Sequence, residues 1–124
     1  MTALEEYNAL HARSGVSLAP LSLREIGLLR IDALRAVEIL RHAKCPVLCG
    51  DVYLRRGDRL AVTYENWFTN RKSAEDQETY LRRSWDTANA YIKNFPKSAD
   101  AEVLLVIVSK AALGGDIEQT PGQS

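Results

Sequence analysis

The chain has 124 residues, of which 46% are hydrophobic and 26% are charged, a balance typical of one globular domain. Sixteen Lys and Arg are offset by sixteen Asp and Glu, without a basic block in either half. Nucleic acid is not an expected partner, because phosphate binding depends on clustered positive charge. The longest apolar run, residues 103–108, is far shorter than the roughly twenty residues that cross a bilayer as a helix, so no membrane span is expected.

The cysteines and histidines do not form a metal-binding pattern. Cys45 and Cys49 lie four apart, and His11 and His42 are distant from them in sequence, whereas a zinc site normally shows paired short spacings. We interpret both cysteines as reduced packing residues and expect neither a metal nor another cofactor. Residues 1–10 lack the basic start and apolar stretch of a secretory signal, so we expect a cytoplasmic protein.

The first predicted helix begins with a capping box. Thr2 and Glu5 have the spacing at which each side chain satisfies the other residue's backbone N–H. The helix should run to about Ser14 and stop at Gly15. Residues 16–21 contain a proline and a serine among apolar residues, which indicates a connecting loop.

A second helical start is weaker than the helix that follows it. Ser22 and Glu25 repeat the capping-box spacing, but Gly27 soon lowers helix propensity. A regular apolar stripe then predicts a helix over residues 32–44, which Pro46 prevents from continuing.

Two alternating segments predict a β-hairpin. In residues 47–54 and in residues 60–65, the side chains divide into two alternating sets, one for each face of a strand. Gly57 lies in the turn between the two runs. The second strand ends at residues 66–68. The hairpin therefore occupies the middle of the chain.

The second half of the chain adds a long helix and an apolar strand. Residues 74–95 predict a helix whose inward residues are Leu81, Ser84, Ala88, Tyr91, Ile92 and Phe95. Residues 103–108 are apolar throughout, which predicts a central strand covered on both faces by two helical layers. We therefore expect an α+β domain over residues 1–110, with a small, mostly antiparallel sheet of hairpin and C-terminal strand packed with two to three helices. A flexible tail should follow over residues 111–124.

Asp51 is the most unusual residue of the predicted strands, because a carboxylate inside a strand needs solvent or hydrogen-bond donors. One hypothesis is structural: the Trp67 indole or backbone amides near the sheet end donate to it. The alternative is a contact with a partner. A catalytic role ranks lower, since neither a His nor a second carboxylate occurs beside it at a motif spacing.

Aromatic and acidic residues surround the hairpin. Of Tyr53, Tyr64, Trp67 and Phe68, we expect two to be buried and one or two to contribute to a contact surface. The acidic start of the long helix offsets the helix dipole. The acidic residues are Glu75, Asp76 and Glu78. Alternatively, they join Glu65 to form an acidic rim that faces a basic partner.

These motifs resemble the immunity protein 40 family of bacterial polymorphic toxin systems. The resemblance covers roughly residues 25–110, and its motifs are the segments 45–53 and 64–68 followed by the long helix. The chain departs from the family pattern at three positions: Cys49 stands in place of a glycine, Glu65 in place of an aspartate and Phe68 in place of a tyrosine.

The resemblance implies a protein that binds the effector domain of a cognate toxin in the cytoplasm and blocks it by occlusion, without catalysis. Its contact surface would be the sheet end and the neighbouring helix. The toxin-binding candidates are Asp51, Tyr53, Tyr64, Glu65, Asn66 and Trp67.

Two other functions stay open from the sequence. One is a small enzyme or ligand-binding domain with a pocket near Asp51, in which Tyr53 and Tyr64 supply polar groups. The other is an adaptor subunit whose apolar strand, residues 103–108, is completed by another chain. The sequence does not indicate an oligomeric state.

Overall fold

Residues 1–109 are described by the computed structural model of the chain. Within this range, three α-helices and five strands are present. The helices are α1 (Ala3–Ser14), α2 (Arg30–His42) and α3 (Gln77–Asn94). The strands are β1 (Val16–Ser17), β2 (Ile26–Leu29), β3 (Val47–Arg56), β4 (Arg59–Phe68) and β5 (Glu102–Ser109), and a 3₁₀ helix (Ala19–Leu21) follows β1. The expected tail lies outside the described residues.

The strands form one antiparallel sheet in the order β1-β2-β5-β3-β4. β5 is central, since Leu105 lies opposite Leu28 of β2 and opposite Val52 of β3. Residues 103–107 are each at most 7% exposed. The predicted α+β class, the hairpin and the central position of the C-terminal strand are confirmed.

The two faces of the sheet are covered differently. One face packs against all three helices through a core that includes Leu40, Ile92 and Leu105, each fully buried. The opposite face, here called the non-helical face, is covered around Leu104 by apolar residues of the segment 18–23. The expected second helical layer is therefore wrong. A short leucine-rich segment is enough to cover the second side of β5.

The predicted helical start at Ser22 is also wrong. Ser22 has a φ of 64° in the left-handed region and ends the 3₁₀ helix. Gly27 then passes so close to β5 that an added Cβ would lie 3.1 Å from the Leu104 Cβ. Leu28 is fully buried in strand β2. Because a capping box is a local signal, tertiary burial of an extended segment overrides it here.

Side-chain caps define where α1 and α3 begin. The Thr2 hydroxyl accepts from the Glu5 N–H at 3.1 Å, and the Glu5 carboxylate accepts from the Thr2 N–H at 2.7 Å, so the predicted capping box is confirmed. α3 begins three residues later than predicted. The reason is that the Asp76 carboxylate accepts from the Thr79 N–H at 2.8 Å and takes the N-cap position.

Ser84 joins α3 to β3 through a fully buried hydroxyl. Its oxygen accepts from the Val47 N–H at 3.1 Å and donates to the Leu81 carbonyl at 2.8 Å. The periodicity of α3 predicts this inward position. The bond ties the first residue of β3 to α3, so it holds the long helix at a defined place along the strand.

We expect Ser84→Ala to lower the free energy of unfolding by about 1–3 kcal/mol, because the buried Val47 N–H loses its acceptor. Ser73→Ala is the matched control, since Ser73 is exposed, and it should change stability by less than about 0.5 kcal/mol. Urea denaturation measures both. An equal effect of the two substitutions would contradict the role assigned to Ser84.

Candidate functional site

The structure separates the six candidate residues into three environments. Tyr64, Glu65 and Asn66 are adjacent and exposed on the edge strand β4. Asp51, half-buried, and Tyr53, buried, lie on the non-helical face of β3. Trp67 is 6% exposed and packs in the helical core. The candidates therefore do not form a single cluster.

A β-bulge in β4 brings three of the candidates to the surface. Asp51 pairs with Asn66 but Tyr53 pairs with Val62, so two steps along β3 correspond to four along β4. The Thr63 side chain stabilises the bulge, because its hydroxyl donates to the Val52 carbonyl at 2.7 Å and accepts from the Glu65 N–H at 3.0 Å. The bulge re-aims the following side chain, as bulges commonly do.

Tyr64 lies at the tip of this bulge. Its φ of 66° is in the left-handed region, which is rare for a bulky residue, and its side chain is 87% exposed. The Asn66 amide donates to the Tyr64 carbonyl at 3.3 Å and so helps to hold the bulge. A strained backbone that presents an aromatic ring to solvent is typical of a functional surface.

Trp67 lies directly over Gly50 on the neighbouring strand. A Cβ added to Gly50 would collide with the six-membered ring of the indole, so only glycine fits at this position. The Trp67 ring also packs on Tyr91 at 4.7 Å between ring centroids, and Tyr91 lies 5.9 Å from Phe95. We call these three rings the aromatic row. They connect β4 to the end of α3.

The hypothesis that the Trp67 indole donates to Asp51 is wrong. Gly50–Trp67 and Asp51–Asn66 are successive pairs of the β3–β4 ladder, and successive side chains of a strand point to opposite faces. The indole therefore faces the helices while the carboxylate faces away from them. Within residues 1–109, the Trp67 Nε1 has no hydrogen-bond partner.

Asp51 instead lies near a second carboxylate, that of Glu25, which was not among the predicted site residues. Glu25 shares a hydrogen bond with the Tyr53 hydroxyl, and burial, together with the negative charge of Asp51, raises the pKa of Glu25. Burial also raises the pKa of the Cys49 thiol, and both carboxylates add to that effect. No spacing signals this group, since the packing of the segment before β2 against β3 brings residues 26 positions apart together.

A groove separates β4 from the C-terminal half of α3. Its volume is about 790 Å³, and we call it the β4–α3 groove. Tyr91 and Phe95 of the aromatic row are half-buried there. Burial, and secondly the charge of Glu65, raises the pKa of the Tyr91 hydroxyl, which stays protonated and neutral. The lining residues are Glu65, Thr87, Ala90, Tyr91, Asn94, Phe95 and Pro96.

The acidic residues before and within the first turn of α3 are engaged locally. Two hydrogen bonds from Arg83, at 2.8 and 2.9 Å, are the main reason that the pKa of Glu75 falls to about 2, and the Lys72 N–H adds a third. Glu78 lies 3.6 Å from Arg82. Together with the capping bond of Asp76, these contacts support the interpretation that the acidic residues stabilise the start of α3, rather than that they form a rim facing a partner. Within the described residues, Glu65 has no ion-pair partner.

The fold and these surfaces define an α+β domain that presents a bulged edge strand beside an apolar groove. The sequence model of the family Immunity protein 40 matches residues 17–109, which include strands β2 to β5, the second residue of β1 and the groove. The chain belongs to the immunity protein 40 family. No curated protein and no solved structure matches it.

None of the helices within residues 1–109 has the length and apolar character needed to cross a membrane. The same residues contain no group of three or more His, Cys, Asp or Glu side chains placed to hold a metal ion.

We expect Thr63→Val to loosen the bulge, because it removes both hydrogen bonds of the hydroxyl, whereas Thr63→Ser keeps them. Loss of about 1 kcal/mol in the stability of the bulge corresponds to roughly fivefold faster exchange of the Glu65 amide proton. Hydrogen exchange followed by NMR measures this rate. If the valine variant exchanged at the unmodified rate, the hydroxyl would not be what holds the bulge.

Proposed function

We propose that this chain is an immunity protein that binds the effector domain of a cognate toxin and neutralises it by occlusion, without catalysis of its own. The observation that carries the proposal is the family match over residues 17–109. Occlusion needs a preformed surface rather than reacting groups, and a sheet backed by three helices supplies one. The expected setting is a bacterial polymorphic toxin system used in competition between bacteria, with neutralisation in the cytoplasm.

The bulge is the first candidate for direct contact. Exposed aromatic residues dominate many protein interfaces, and the 87% exposure of Tyr64 supports such a role. Glu65 and Asn66 flank it with polar groups. Trp67 would act by supporting the surface, since it is buried and its ring packs on Tyr91.

A second candidate function rests on the non-helical face. Glu25, Asp51 and Tyr53 bring two carboxylates and a phenol together, which favours binding of a small ligand with hydrogen-bond donors. The adaptor alternative has lost its basis, because residues 103–107 are buried within the chain itself.

Growth of bacteria that express the toxin domain encoded beside this gene tests the proposal. The chain should restore growth and form a stable complex with that domain. Failure of the folded chain to restore growth would overturn the immunity role and favour the ligand-binding function.

Tyr64→Ala should weaken the complex about tenfold or more, as expected for loss of an interface aromatic residue. Leu4→Ala is the control, since Leu4 is 42% exposed on α1, outside the matched range, and should leave the affinity unchanged. Calorimetric titration measures both dissociation constants. Equal affinities of the two variants would remove the bulge from the interface.

A further inference from the structure

We infer that the β4–α3 groove receives an extended segment of the toxin domain, which pairs with the free edge of β4 and sets a Lys or Arg against Glu65. This inference rests on the proposed immunity function and specifies how the partner is recognised. Three features of the described residues support it: the free edge, the composition of the groove and the unpaired carboxylate.

The free edge favours an extended segment over a helix or a small molecule. β4 pairs with β3 on one side, and no strand of residues 1–109 lies on its other side. Away from the bulge, the backbone groups on that side form a row of donors and acceptors that another extended chain satisfies best. At the bulge, the Glu65 N–H is bound by the Thr63 hydroxyl and the Tyr64 carbonyl accepts from the Asn66 amide. β4 spans Arg59–Phe68 without a proline, so its regular residues on either side of the bulge keep their backbone donors for such a partner.

The groove supplies a place for side chains beside that edge. Its volume of about 790 Å³ lies within the range of roughly 300–1,000 Å³ found for small-molecule binding pockets, so it is large enough to hold side chains of a partner. One wall is formed by the partly exposed rings of Tyr91 and Phe95, which lie beside each other, and Trp67 packs on Tyr91. Such a wall accepts an apolar side chain or the methylene stem of a long basic one.

Glu65 determines the charge of the expected segment. Its carboxylate contributes to the lining of a largely apolar groove, and within residues 1–109 it pairs with no cation. Glu75, by contrast, is bound by Arg83 at 2.8 Å. A cation from the partner would neutralise Glu65 and lie near the ring of Tyr91, which adds a cation–π attraction. Complementary charge of this kind gives an interface its specificity.

Calorimetric titration of the purified toxin domain into variants of the full chain tests the charge. Glu65→Gln should raise the dissociation constant about tenfold or more, and Glu65→Lys should raise it further, because a like charge then faces the partner's cation. Asp58→Asn is the matched control. Asp58 is an exposed carboxylate at the β3–β4 turn and should leave the affinity within twofold of the unmodified chain.

Occupation of the groove is tested by a bulky substitution. Ala90 is exposed on α3 and lines the groove, so Ala90→Arg should fill it and weaken binding about tenfold or more. Ala12→Arg, on the exposed side of α1, adds the same side chain elsewhere and should have no effect. Circular dichroism should show the same helix content in both variants.

The partner's cation is found by a double-mutant cycle. One Lys or Arg of an extended toxin segment should weaken binding when replaced by Ala in the unmodified complex, and should have little further effect with Glu65→Gln. If Glu65 and Ala90 variants bind as tightly as the unmodified chain while growth is still restored, the groove inference fails and the immunity function stands. If the unmodified chain forms no complex, the immunity function fails first. Dimerisation of the chain alone that Glu65→Lys abolishes would assign the groove to a second copy instead.

Discussion

The packing of Trp67 over Gly50 is the constraint on which the candidate surface depends. Because Gly50 has no side chain, the six-membered ring of the indole packs directly against β3 on the helical side and joins β4 to it. The same ring packs on Tyr91, so it joins the edge strand to α3 at the groove, while Ser84 fixes the helix on β3. The bulge and the groove both lie close to that contact and share Glu65. A binding surface of this kind is preformed, which limits the ordering cost of association.

Much of the fold follows from periodicity and capping. The hairpin, the central strand and the long helix carry strong patterns over six or more residues. β2 was not predicted, because its four residues are too few for a period and follow a misleading capping-box spacing. The cover of the non-helical face by residues 18–23 depends on tertiary packing alone.

The candidate site was predictable in composition and not in arrangement. The motifs identify the residues, and the expected burial of two of the four aromatics agrees with the structure, since Tyr53 and Trp67 are buried. That one or two of them contribute to a contact surface stays a prediction. The bulge at Thr63 could not be predicted, because alternation continues through it in the sequence. The proximity of Glu25 to Asp51 has no local signal. Tyr91 was expected in the core, yet it also lines the groove.

Hydrogen exchange of the full chain with and without the toxin domain tests the central claim most directly, because it maps the contact face in one measurement. The account predicts slower exchange in the complex at residues 62–68 and 87–96, with little change at α1. Protection confined to residues 18–25 and the non-helical face of β3 would contradict it, since binding would then occur on the opposite side of the sheet.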